Sequence, residues 1–200
     1  MEGPDCSSKF MLKKIFLFFC FSVFLLSVVY LLLPPPAEPP PLPNSFKSIE
    51  PGDTVEIPGL FAYYTNMSRE DVVSFYQKYF SRSGFLGIPL LTYRLNHPPE
   101  FALVVIRDTI HSSFFEELVH PFRESWYIDG YEPANDPFKK QGEKLGNFKM
   151  EGKEYSAKII VLKKGSNALL RLLIFVFVVF SFWWLAKIGF KTYENIRRHR

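Results

Sequence analysis

IFLFFCFSVFLLSVVYLLL, residues 15–33, runs for nineteen positions without a charge and is dominated by Phe, Leu and Val. At ~1.5 Å per helical residue this is about the thickness of a bilayer's hydrocarbon core, so the stretch reads as a membrane span. A second apolar run covers residues 172–186 and extends to a span over 168–190 if Arg171 and Lys187 reach to opposite surfaces. The chain then divides into a tail (1–14), a first span (15–33), a proline-rich spacer (34–43), one water-soluble domain (44–166), a second span (168–190) and a basic tail (191–200).

Lys9, Lys13 and Lys14 precede the first span as in the basic region of a signal sequence. The apolar run is too long for a cleaved signal, however, and Pro34-Pro35-Pro36 follows it with no small-residue cleavage site, so an uncleaved signal anchor is expected. Only Lys47 lies in the fifteen residues after Leu33, and this lysine bias places the N-terminus in the cytoplasm. Two spans return the C-terminus to the same side. The expected location is therefore the cell (plasma) membrane, both termini cytoplasmic and the central domain extracytoplasmic. Trp183 and Trp184 fall at one interface and Tyr30 at the other, as an aromatic belt requires. Neither span holds a charge at mid-depth or a G-x-x-x-G motif, which points to anchors and not to an ion path.

The net charge is +4, but its distribution matters more than its sum: residues 1–14 carry +1, Glu38 in the spacer adds −1, the domain carries −1 and residues 167–200 carry +5. The basicity lies beside the membrane, where cations meet anionic headgroups, and this argues against a nucleic-acid partner. The only cysteines are Cys6 and Cys20, so the domain has no means to form a disulfide or a thiolate zinc site. Seven prolines in residues 34–43 favour polyproline II, a stiff spacer with a stand-off of roughly 30 Å.

Within the domain, Ser68-Arg69-Glu70-Asp71 is a capping box followed by Val72, Phe75, Tyr76, Tyr79 and Phe80 at helical spacing. A helix over 69–82, ended at Gly84, should lay its aromatic face on a sheet. Residues 53–58 and 61–64 read as short strands and 90–95 as another. Residues 98–108 are ambiguous and lean to helix; 113–119 read as a second helix broken by Pro121. Trp126-Tyr127-Ile128 reads as a strand ending in a turn at Asp129-Gly130. Residues 133–146 look like a loop. A hairpin closes the domain: 147–150, a turn at Glu151-Gly152, then alternation from Tyr155 to Val161. Intermixed helices and strands imply an α+β fold, a single domain with a mainly antiparallel sheet and packed helices, flanked by two transmembrane helices.

His97, His111 and His120 fall close together in sequence among acids, and Glu117 and His120 stand at i, i+3, a spacing seen in carboxylate metal sites when the segment is helical. His97, His111, Glu117 and His120 are thus the candidate metal ligands. A metal site needs three or four convergent ligands, and only this one pair has a sequence relation that predicts convergence, so a structural or partner-facing role is the expectation. There is no G-x-S-x-G elbow, G-x-G-x-x-G or P-loop, hence no cofactor is expected. Asn66-Met67-Ser68 fits a glycosylation sequon, but Ser68 is better used as a helix cap. These readings favour a membrane-tethered binding or scaffold module, or an accessory subunit of an envelope complex. Its partners would be the lipid bilayer and a protein or envelope polymer. The rival is a small extracytoplasmic metalloenzyme using the histidine and acid cluster.

Overall fold

The computed structural model describes residues 6–54, 57–82, 89–107, 109, 111–136 and 146–198. It separates into two units: one of residues 1–34 and 167–200, the other Pro35–Ser166. The first holds two long helices, α1 (Cys6–Leu32) and α5 (Ala168–Arg198), both long and apolar enough to cross a membrane. They pack on one another through Phe24 and Phe175, whose rings stack with centroids 5.5 Å apart. Both helices overrun the apolar runs. Residues 191–198, expected as a tail, continue α5 as helix.

The second unit is α+β. Its main sheet has six strands, all antiparallel, in the order β1-β2-β8-β5-β4-β3. The strands are β1 (Phe46–Lys47), β2 (Leu60–Thr65), β3 (Tyr93–His97), β4 (Phe114–His120), β5 (Glu124–Tyr131) and β8 (Ala157–Gly165). A separate hairpin pairs β6 (Phe148–Met150) with β7 (Lys153–Tyr155). Its turn is the expected one, with Glu151 at φ 48° and Gly152 at φ 77°. Only Lys153–Tyr155 pairs with β6, and Ala157 onward joins the main sheet.

Helix α3 (Arg69–Ser81) leaves β2 near one edge and delivers the chain toward β3 at the other. It starts as expected, with the Ser68 hydroxyl accepting from the Asp71 amide at 3.3 Å; Gly84 lies outside the described residues. Val72, Val73, Tyr76 and Phe80 are buried against Phe114, Leu118, Trp126, Ile128, Ile159 and Val161, which line one face of the sheet. The opposite face carries a smaller core of Leu60, Ala62, Phe115 and Leu162 under Ala102 and Ile106.

Several elements differ from the expectations. Residues 113–119 are not a helix but most of β4. The alternation is present, since Phe114, Glu116, Leu118 and His120 all point under α3, but two of the four are polar and hide it from a hydrophobic count. Asp129-Gly130 is not a turn. Both lie inside β5, where Gly130 is opposite Phe114 and any Cβ there would sit 2.0 Å from that ring. Residues 51–54 form a short helix, α2 (Pro51–Thr54), where a strand was expected from 53, and residues 55–56 lie outside the described set. The strand expected at 90–95 is displaced to Tyr93–His97. The helix expected over 98–108 is a single 3-10 turn, Pro99–Phe101, followed by α4 (Ala102–Val105); Asp108 lies outside the described residues. The loop expected at 133–146 begins with a 3-10 turn, Pro133–Asn135, and residues 137–145 lie outside the description.

The proline-rich stretch is also not a free rod. From Pro35 it belongs to the domain unit, and Pro36, Pro39 and Leu42 are buried. Their period of three is that of a polyproline II helix presenting one stripe to a surface. Leu42 joins the core beneath α3, and Lys163 Nζ donates to the Pro36 carbonyl at 2.7 Å.

Candidate functional site

The strand character of β4 decides where the histidines and acids go. On a strand, residues three apart point to opposite faces, so Glu117 and His120 diverge instead of sharing a helical face. Glu117 turns to the side away from α3 and meets His97, the last residue of β3, with Nε2 to Oε2 at 2.9 Å. Tyr127 of β5 joins them. Burial first, then its hydrogen bond and charge contact with Glu117, push the Tyr127 hydroxyl up to about 12.

His120 turns the other way into the core. Its ring stacks on Phe80 at 3.8 Å between centroids, Nδ1 lies 2.9 Å from Glu124 Oε1, and Nε2 lies 3.2 Å from the Thr92 hydroxyl. Both nitrogens are occupied by neighbours, and Arg123 Nη2 meets the same Glu124 oxygen at 2.9 Å. His111 is in a third place, with Nδ1 3.4 Å from Asp136 and its ring beside Tyr131. The three histidines therefore occupy three separate pairs. Among the described residues, no group of three His, Cys, Asp or Glu side chains is placed to share a metal ion.

What the structure does assemble was not visible in the spacing. Glu116 is completely buried at the start of α3, clamped between two arginines from different elements. Arg69 of α3 donates to its Oε1 through Nε, at 2.9 Å, and through Nη2. Arg94 of β3 donates through Nε to Oε2 at 2.5 Å and through Nη2 to Oε1 at 2.9 Å, and its outer side meets Glu70 at 3.0 Å. Burial acts to raise the Glu116 carboxyl, but the hydrogen bonds and charges of Arg94 and Arg69 outweigh it and hold the group below the usual carboxylate range. Two cations and two anions make this network neutral.

At the end of β3 the network opens into a groove of about 340 Å³ lined by Arg69, Asn96, His97, Pro98, Pro99, Ser113 and Phe114. Arg69 lies over the Phe114 ring, 5.3 Å from its centroid. Side-chain donors thus line an aromatic floor, which suits the amides and carbonyls of a polypeptide or a polar polymer. β3 is an edge strand of the sheet, and on its face away from α3 Tyr93 is 50% and Leu95 44% exposed. On the same side of the sheet, Leu103 and Val104 on the outer surface of α4 are 54% and 80% exposed, and Phe101 just before them 54%. This edge therefore exposes several large apolar side chains. The signal for it in the sequence is the alternation of Tyr93, Leu95 and His97, cut short by two prolines.

The chain matches no protein-family model, no curated protein and no solved structure, so its functional reading rests on these residues alone.

Proposed function

We propose that this chain is a double-anchored protein of the cell membrane. In this reading both tails are cytoplasmic, and the domain on the opposite side is a binding or scaffold module that takes an extended segment of a partner protein along β3. The orientation rests on Lys9, Lys13 and Lys14 before the first span and on the even number of spans. The binding mode rests on one observation: β3 is a five-residue edge strand with half-exposed Tyr93 and Leu95 on its face away from α3. An unpaired edge offers backbone donors and acceptors in the geometry an added strand needs, while the exposed side chains supply selectivity. The opposite edge, β1, has two residues and offers no comparable template.

The enzyme alternative would need the histidine and acid cluster to converge, and His97, His111 and His120 sit in separate pairs. The test is a photo-activatable residue at Leu95 in the full chain in its native membrane, compared with the same residue at exposed Lys149 on the β6–β7 hairpin. A single heterologous adduct at 95 and none at 149 supports the proposal. An adduct only with a second copy of this chain would replace the partner with self-association, and equal labelling at both positions would remove the edge as a specific surface.

A further inference from the structure

The two spanning helices carry a feature that anchoring alone does not need. Along one side of α1, Leu17, Phe18, Cys20, Phe21 and Phe24 line a groove of about 610 Å³ with Lys14 at its outer end. From Lys14 to Phe24 is ten residues, about 15 Å of helix, half of a ~30 Å hydrocarbon core and hence one leaflet. Phe24 is also the point of contact with Phe175 on α5. The same domain joins the end of α1 to the start of α5, so the pair runs antiparallel, and Lys187 lies twelve residues, about 18 Å, from that contact toward the same end. Lys14 and Lys187 therefore emerge at nearly one level.

Each ammonium rests on an aromatic ring, Lys14 at 4.4 Å from the Phe10 centroid and Lys187 at 5.2 Å from that of Trp183. Among the described residues neither has a carboxylate partner. Two cations at headgroup depth, above an apolar groove one leaflet long, complement a molecule that carries an acyl chain and a negative charge. We infer that the groove holds an anionic phospholipid, its phosphate between Lys14 and Lys187 and an acyl chain along Leu17, Phe21 and Phe24. This site does not depend on the partner proposed for β3.

The protein carries its own reporter. Trp183 and Trp184 are 54% and 51% exposed on α5, whereas the remaining tryptophan, Trp126, is buried in the core of the domain. The full chain is reconstituted in phosphatidylcholine vesicles with a small fraction of brominated phosphatidylglycerol or, separately, brominated phosphatidylcholine, and tryptophan quenching is read. The anionic quencher is expected to act as if enriched at least about threefold over its bulk fraction, the zwitterionic one in proportion to it. Lys14→Gln and the groove-filling Cys20→Phe should each bring the anionic curve down to the zwitterionic one. Lys14→Arg should keep the enrichment, with helix content unchanged in all variants. Equal quenching by both lipids in the unmodified chain overturns the inference. So does full enrichment in Cys20→Phe, because the lysines would then attract anionic lipid without using the groove.

Discussion

Asp129 faces the side of the sheet away from α3 and is 1% exposed. Burial raises its carboxyl from 3.8 to about 6, with the Ser112 and Thr109 hydroxyls and the Lys158 charge acting in the other direction. Between those two values the folded chain holds the proton that the unfolded chain has released, so this group's contribution to stability increases as pH falls from 7 toward 4. Asp129→Asn removes that dependence. The variant should be more stable than the parent by up to about 3 kcal/mol at pH 7–8, with the difference vanishing near pH 4. Thermal melts of the two proteins in the same detergent across this range check it, and a constant difference would contradict the assignment. Glu116, held low by its two arginines, works in the opposite sense: its contribution to stability is lost as pH falls below the usual carboxylate range. Next to Asp129, Gly130 is required by the close approach of Phe114. Gly130→Ala should cost about 1–3 kcal/mol by overpacking, and Phe114→Leu in the same chain should recover part of it, a coupling that a double-mutant cycle measures.

At the scale of elements, legibility followed polarity. α3 was readable because its cap is local and its buried face is wholly apolar. β4 was not, because Glu116 and His120 occupy core-facing positions and are satisfied by Arg69, Arg94, Thr92 and Glu124, contributed by elements far away in sequence or across a turn. The same cause hid the candidate site, whose groove exists only once β3, β4 and α3 are assembled. Asp129-Gly130 imitated a turn for a related reason: its two residues answer to the two faces of a strand, one to a buried polar pocket and the other to an aromatic ring. The proline-rich stretch was recognisable as polyproline II, yet its composition does not say whether a stripe of it is buried. Burial of Pro36, Pro39 and Leu42 makes it part of the domain. A fragment of residues 35–166 should therefore be more stable than one of residues 44–166 by about 2–5 kcal/mol, the range for losing one buried leucine side chain. Denaturant unfolding of the two fragments checks this, and equal midpoints would show that the strap contributes nothing.

For the whole molecule, the two long apolar helices and the antiparallel α+β domain fit a pattern in which the net positive charge lies in the segments that hold those helices and the domain itself is nearly neutral. That pattern makes the proposed orientation the premise for everything at the β3 edge, since it decides which compartment supplies the partner. It is tested most directly by protease added to intact cells or spheroplasts expressing the full chain with a different epitope at each terminus. The proposed orientation predicts that the domain is cut while both terminal epitopes survive on protected fragments. Loss of both epitopes with an intact domain would contradict it.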